Sequence, residues 1–374
     1  MRFLHTADLH IGKVFYNISM PEDQKQVLRQ ITDIAVGEEV DAVLIAGDVY
    51  QRSAPQAEAM EVFDGFVSDL TRSGKKVFLI SGNHDSAQRI SYFSSLIRGA
   101  GVYATEEFGG RLQSVKLTDE FGDITVHLLP FIRPTNVRPL FADAKINSCT
   151  DAVKAVLDAS DVDERKRNVL LCHQFVTGAE AAGSEELSVG GVDNVDASVF
   201  DKFDYVAMGH IHKSQRIARD TVRYAGSPMK YSFDEAEHLK SVTIVDMGKK
   251  GDVSLRTVPL SMPHDVRKAD GMLDELLSLP YSEDYIWATI HDELVPPDAQ
   301  VSLTTVFPNL CKFSVVNSKT KTDIDVLAKE EMEGKSVTEL FSDFYMLQNN
   351  GVKPDGKLME TLDRILTEME EKAR

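Results

Sequence analysis

Five apolar runs, each closed by a side chain able to bind a metal, constrain this chain more than any other feature. "RFLHTADLH" ends in Asp8 and His10, "VLIAGD" in Asp48, "VFLISGNH" in Asn83 and His84, "NVLLCH" in His173, and "YVAMGHIH" in His210 and His212. Runs of this length and composition read as buried strands. In extended backbone, residues i and i+2 point to one side. Asp8 with His10, and His210 with His212, therefore face the space beyond a strand tip. At three of the five ends a glycine stands just before the polar residue. Polar residues at one strand end are ordinary turn chemistry. Five ends bearing oxygen and imidazole donors point instead to a metal site, since sites in open α/β sheets lie beyond the carboxyl ends of the strands.

The donor count narrows the chemistry. Asp8, Asp48, Asn83, His10, His173, His210 and His212 give two carboxylates, one amide and four imidazoles. Seven side chains are too many for one ion and suit two if a carboxylate bridges. A mixed oxygen and nitrogen set without thiolate fits manganese, iron or zinc better than a structural zinc. Two ions about 3.5–4 Å apart suit in-line attack on a phosphoryl group.

Between the runs the pattern turns helical. "PEDQKQVLRQITDIAVGEE" places Val27, Ile31 and Ile34 on one face, with Pro21 near its start. "PQAEAMEVFDGFVSDLTRSG" carries a stripe at Phe63, Phe66, Val67 and Leu70, and "AQRISYFSSLIRGAG" reads as a third helix. Another helix is expected around Ala152 to Leu157. The pieces "TVRYAGSP", "SVTIVDM" and "VSLRTVPL" are β-rich. Strand–helix alternation followed by a strand-rich half implies sheets layered with helices. Beyond residue 270, "EDYIWATI" and "LCKFSVV" read as strands flanking a short helix, and "SVTELFSDFYMLQNN" opens with a capping box, Ser336 and Glu339. That helix carries Val337, Leu340, Phe341 and Phe344 on one face, and a final helix carries Leu358, Leu362, Ile365, Leu366 and Met369.

Three scattered cysteines (Cys149, Cys172 and Cys311) argue against a disulfide framework, and no run approaches a membrane span. A cytoplasmic protein without a membrane segment is expected. A formal net charge of -18 weighs against a chain that grips nucleic acid through its own basic surface. Arg52, Arg89, "ERKR" at 164 to 167, Lys213 and Lys230 are the candidates for backbone contact, although charge runs are more often solvated faces.

In order and context, "DLHIGK", "GDVY", "GNHD", "CHQF" and "GHIHKS" resemble the calcineurin-like metallophosphoesterase superfamily. "HTADLHIGK", "YAGSPMKYSFDEAEHLKSVTIVDM" and "ELFSDFYMLQN" resemble, more narrowly, the SbcD group of bacterial DNA nuclease subunits. The likeness implies an α/β fold, a metallophosphoesterase β-sandwich flanked by helices, with a small α/β capping domain and a C-terminal helix pair. It implies a nuclease domain over 1–268, a cap over 269–333 and a partner-binding helix–loop–helix over 334–374. It assigns Asp8, His10, Asp48 and His212 to one metal, and Asp48 (the bridge), Asn83, His173 and His210 to the other. Two Mn2+ are expected, with Mg2+, Fe2+ or Zn2+ as substitutes. His84 is implied not as a ligand but as the group at the scissile phosphate that assists the leaving oxygen. Gln51 departs from relatives, which often carry an acidic residue or histidine there. The implied activity is that of an SbcCD nuclease: 3′–5′ exonuclease on duplex DNA and endonuclease on single strands, opening hairpins and processing ends in repair, replication and recombination. The implied partners are DNA, an SbcC ATPase in a heterotetramer and a second copy, through helices near 55–72 and 86–98. The ligand set alone fits a protein phosphatase or nucleotide phosphodiesterase equally. "GSPMKYSF" and the C-terminal helices separate the readings, because a stand-alone phosphatase needs neither.

Overall fold

The computed structural model describes residues 1–374 except Phe93, 182–193, 318–336, 349–352, Glu360, Asp363 and 365–374. Its chain order begins with β1 (Arg2–Thr6), a small hairpin of β2 (Val14–Phe15) and β3 (Ile18–Ser19), helix α1 (Pro21–Gly37), β4 (Ala42–Ala46), helix α2 (Ala57–Arg72), β5 (Lys76–Ile80) and β6 (Val102–Ala104). Then come β7 (Gln113–Asp119), β8 (Gly122–Leu129), the helix Cys149–Asp158, β9 (Arg167–His173), β10 (Tyr205–Gly209), β11 (Gln215–Ile217) and β12 (Arg219–Tyr224). The remaining strands are β13 (Ser241–Met247), β14 (Val253–Pro259), β15 (Val266–Gly271), β16 (Tyr285–Ile290) and β17 (Leu310–Val315).

Two six-stranded sheets result, ordered β14-β13-β1-β4-β5-β6 and β11-β12-β10-β9-β8-β7. The inner strands β1, β4 and β5 run parallel, as do β8, β9, β10 and β12. Their continuous apolar runs follow from burial on both faces. Along β4, Ala42 and Leu44 join the core between the sheets while Val43 and Ile45 face outward. β9 repeats this, with Val169 and Leu171 inward and Leu170 and Cys172 outward. Outside the first sheet, α1 and α2 add Val27, Leu28, Ile31, Val62, Phe66 and Leu70 to the core. Outside the second, the helix Cys149–Asp158 adds Ala152, Val153, Val156 and Leu157. This is the expected sandwich flanked by helices.

Two local differences have physical causes. In α2 the buried seam is Ala59–Val62–Phe66–Leu70, whereas Phe63 and Val67 are only half-buried against the same cluster. The seam is rotated from the expected stripe because Val62, rather than Phe63, takes the buried place. The third helix expected at 87–101 is broken into Ala87–Ile90, Ser94–Ile97 and a 3-10 turn over Arg98–Ala100. Ser86 caps the first piece by accepting from Arg89 N, and serines at 91 and 94 favour turns over a continuous helix.

The chain divides into two compact units, residues 1–289 with 297–314, and residues 290–296 with 315–374. Within the first, β15, β16 and β17 form a three-stranded sheet, and Tyr285 and Trp287 of β16 pack into the cluster of Phe15 and Phe233. Within the second, Val316 N–H donates to Ile290 O at 2.9 Å and Asn317 Nδ2 to Asp292 O at 2.9 Å. The helix Val337–Gln348 follows, with Phe344 58% exposed. Ser336 of the capping box, and Ile365, Leu366 and Met369 of the final helix, lie outside the described residues. No described helix is long and apolar enough to cross a membrane.

Candidate metal centre

Parallel pairing brings the tips of β1, β4 and β5 level in one sheet and those of β9 and β10 level in the other. Thr6 pairs with Ile45, Ala46 with Ile80, and His173 with Gly209. At this end the sheets pinch together. Ala7, Ala46 and Ala225 form a small cluster, and a Cβ on Gly209 would collide with Ala46 O, His173 Nδ1 and the Ala7 methyl. The other two glycines before site residues answer to the same crowding. A side chain at Gly47, where φ is +88°, would strike the His173 ring, and one at Gly82 would strike the Asp48 carboxylate and main-chain nitrogen. The missing side chains let ligands from both sheets share one small volume.

The structure brings all eight expected residues together. His10 Nε2 lies 3.1 Å from His212 Nε2 and 3.7 Å from Asp48 Oδ2. Asn83 Oδ1 is 3.0 Å from His173 Nε2 and 2.9 Å from His210 Nδ1. Asp48 Oδ2 sits 3.4 Å from His173 Nε2 and 3.9 Å from His84 Nε2, placing this carboxylate between the two groups. Asp8 accepts the His210 amide on Oδ1 at 2.9 Å and lies 3.9 Å from His173 Nδ1. Donor atoms of Asp8, His10 and His212, of His10, Asp48 and His84, and of Asp8, Asp48 and His173 all fall within 4.8 Å of one another in each trio. Asp8, His10, Asp48, His173, His210 and His212 are buried.

Backbone strain concentrates here. Asp8 (φ 54°), His10 (φ 43°), Asp48 (φ 49°) and His210 (φ 99°) all occupy the left-handed half of backbone space, uncommon for residues with a side chain. Such strain persists where surroundings over-determine it, and it clusters at functional sites.

The hydrogen-bond pattern is what a cation requires. His173 Nδ1 lies 2.8 Å from Ala46 O, so that nitrogen carries a proton, and a neutral ring then turns its Nε2 lone pair on two oxygens, Asn83 Oδ1 and Asp48 Oδ2. His212 Nδ1 lies 3.1 Å from the Glu235 carboxylate, which leaves its Nε2 lone pair facing His10. His10 Nδ1 is buried with no partner among the described residues. Acceptors converging on acceptors need a positive charge among them. Without a metal the protein supplies protons: burial would lower His173, yet the Asp48 and Asp8 carboxylates push it up to about 9. Burial lowers His210 to about 3 and His10 well below the ordinary imidazole value, as metal-binding neutral rings should be. Burial raises Asp8 to about 6, whereas in Asp48 the neighbouring histidines overcome burial and hold the carboxyl far below its usual range.

His84 stands apart. Its side chain is 18% exposed against 3% for Asp48, and its ring meets His10 edge to face at 4.9 Å between centroids. Nδ1 lies 3.2 Å from the main-chain carbonyl of Gln51. Position 51 thus orients His84 through its backbone, so the departure at Gln51 does not remove the contact.

Three residues carry weight that their sequence context does not announce. Asp85, the last residue of "GNHD", accepts from Val49 N (3.0 Å), Tyr50 N (2.9 Å) and Gly82 N (3.0 Å), tying the loops of Asp48 and Asn83 together. Its place in the motif was the available signal. Glu235 and Lys240 lie buried behind His212. Burial would raise the Glu235 carboxyl, but His212 and Lys240 hold it well below the ordinary value. Their only signal in the sequence is the segment "YAGSPMKYSFDEAEHLKSVTIVDM". Of the basic candidates, Lys213 pairs with Glu180, and Lys230 lies 2.8 Å from Asp265. Arg165 pairs with Asp163, and Arg167 is buried against Asp119. These are mostly satisfied structural charges.

Residues 1–214 match the family model described as calcineurin-like phosphoesterase, and residues 262–349 match one described as Type 5 capsule protein repressor C-terminal domain. The chain is 28% identical over 324 residues to SbcD of the nuclease SbcCD from Staphylococcus epidermidis, across 84% of this chain and 86% of that protein. Solved structures with a looser likeness include a dimetal phosphatase from Danio rerio, 12% identical over 69% of this chain and 95% of that one, with a TM-score of 0.43. Another is a phosphoesterase from E. coli, 13% identical over 70% of this chain and 100% of that one, with a TM-score of 0.28.

Proposed function

This chain belongs to the calcineurin-like phosphoesterase family, and from that membership we propose that it is the DNA-cleaving component of an SbcCD-type nuclease. The observation that carries the reading is the meeting of seven metal-competent side chains, six of them gathered around Asp48, with a partly exposed His84 beside them. Asp8, His10, Asp48 and His212 would hold one Mn2+, and Asp48, Asn83, His173 and His210 the other. When bound, two such cations supply Lewis-acid polarisation of a phosphoryl oxygen and a more acidic water. The chain does the rest. The ligand histidines are buried, and the Ala46 carbonyl and Glu235 carboxylate fix which ring nitrogens of His173 and His212 carry the proton. His84, held at Nδ1 by Gln51 O, turns Nε2 toward the centre, 3.9 Å from Asp48 Oδ2, where a proton can pass to the leaving oxygen of a phosphodiester.

The relative's name supports a nuclease subunit working within an SbcCD-type complex, and DNA as substrate with SbcC as the partner ATPase belongs to this proposal. Duplex 3′–5′ exonuclease and single-strand endonuclease activities follow the same reading, with hairpin opening in repair, replication and recombination, and the cytoplasm as its place of work. The division into 1–268, 269–333 and 334–374 as nuclease, cap and partner-binding segment belongs to it as well. Exposed Met60, Tyr92 and Leu96 on the segments near 55–72 and 86–98 favour a homodimer there. A net charge of -18 fits a chain whose grip on DNA comes mainly from its metals and partner. The test is Mn2+-dependent cleavage of hairpin and blunt duplex DNA, with and without SbcC and ATP. Cleavage that needs Mn2+ and an intact Asp48 is expected. Equal cleavage by Asp48→Ala would show that another nuclease is responsible.

A further inference from the structure

A metal-binding imidazole has two nitrogens, and what holds the second decides where the first points. For His212 that holder is a buried ion pair. Glu235 is 0% exposed, and its Oε1 lies 3.1 Å from His212 Nδ1. Its Oε2 takes the Lys240 ammonium at 2.5 Å and the Ser227 hydroxyl at 3.3 Å. The same ammonium donates to Ser227 Oγ at 2.8 Å and to the main-chain oxygen of His212 at 3.0 Å. One ion pair therefore grips His212 at ring and backbone together.

Folding alone does not explain this arrangement. Replacing a buried ion pair by apolar residues of similar size is often neutral or stabilising. What a carboxylate does that an apolar group cannot is accept: an ionised Glu235 has no proton to give, so His212 must carry hydrogen on Nδ1. Nε2 is then left as a lone pair, aimed at the gap it shares with His10 Nε2, 3.1 Å away. The other imidazoles are held differently. His173 Nδ1 rests on the Ala46 carbonyl, a neutral acceptor, and His210 is stacked at 23° on Phe131 with 6.2 Å between ring centroids.

We propose that Glu235, set in place by Lys240 and Ser227, is a positioning residue that fixes the tautomer and aim of His212, and so preorganises the Asp8–His10–His212 side of the metal centre selectively. The inference rests on the two-metal reading above. It also gives a physical role to the "GSPMKYSFDEAEHLK" stretch, whose Ser227, Glu235 and Lys240 meet only once the chain is folded.

The experiment is Mn2+ binding to the full chain, followed by the electron paramagnetic resonance of free Mn2+, alongside the melting temperature of the metal-free protein. The variants are Glu235→Gln, which keeps shape but loses charge, and the double variant Glu235→Gln with Lys240→Met, which also removes the ammonium that would be left without its carboxylate. In both, one of two ions should bind roughly 10–100-fold more weakly, the usual cost of losing such a partner, while the other keeps its affinity. The double variant should retain the wild-type melting temperature. Two ions at wild-type affinity in the double variant would overturn the inference. So would equal weakening of both ions together with a lowered melting temperature, which marks a merely structural pair. Wild-type protein that binds no pair of ions would instead bring down the two-metal reading, and this inference with it.

Discussion

Adding one methyl group at Gly82 should disable the centre without removing a single donor. An alanine Cβ there would overlap Asp48 Oδ1 and Asp48 N. Neither atom can move freely. The nitrogen is main chain, and Oδ1 is already pinned by the His84 amide at 2.9 Å. Gly82 N is itself anchored on Asp85 at 3.0 Å. Relief must come from shifting the Asp48 carboxylate, whose Oδ2 stands 3.7 Å from His10 and 3.4 Å from His173. Overpacking of this kind costs roughly 1–3 kcal/mol of stability, and misplacing a reacting constellation by about 1 Å costs on the order of 10²-fold in rate. Gly65 in α2 is the control, because nothing lies within 4 Å of its Cβ position. Gly65→Ala should stabilise by roughly 0.5–1 kcal/mol, the gain from removing an exposed helix glycine. The assay pairs urea unfolding with Mn2+-dependent hydrolysis of a chromogenic phosphodiester. Gly82→Ala with wild-type turnover and two ions bound would refute the crowding argument.

Three further outcomes are expected. His84→Ala should keep both ions yet lose roughly 10²–10⁴-fold in rate, as for a positioned proton donor; near-normal turnover in metal-replete protein counts against its role. Hydrogen bonding to Arg167 holds the Asp119 carboxyl well below its ordinary value. Its contribution is therefore complete above the unfolded value of about 4 and fades as pH falls below it. Asp119→Asn should flatten the acid limb of urea midpoint against pH, and parallel profiles for the two proteins would dismiss the link. Truncation after Asn317 should abolish co-purification with SbcC while leaving two ions and slow ATP-independent cleavage of single-stranded DNA; full retention of SbcC would rule the missing segment out as the docking element.

Local patterns carried most of this structure. Asp8, His10, Asp48, Asn83, His84, His173, His210 and His212 were legible because each closes a run whose apolar character follows from burial on both faces of a sheet. Sheets layered with helices were legible from the strand–helix alternation, and the sandwich from the family resemblance. What the sequence concealed depends on contacts across distance. Glu235 reaches His212 from 23 positions away in chain number, through a loop whose own pattern is unremarkable. Asp85 looks like turn chemistry until its three amide donors are seen. The three glycines before site residues are explained only when the second sheet arrives, since Gly209 is constrained by Ala46 and Ala7 of the first. The break in the helix at 87–101 is hidden by apolar spacing that continues across the interrupting serines.

The central claim is a pair of cations sharing Asp48, and anomalous X-ray scattering from crystals grown with Mn2+ tests it most directly. The account predicts two manganese peaks flanking the Asp48 carboxylate, one ringed by Asp8, His10 and His212 and the other by Asn83, His173 and His210. A single peak, or two peaks that leave Asp48 unshared, would contradict it.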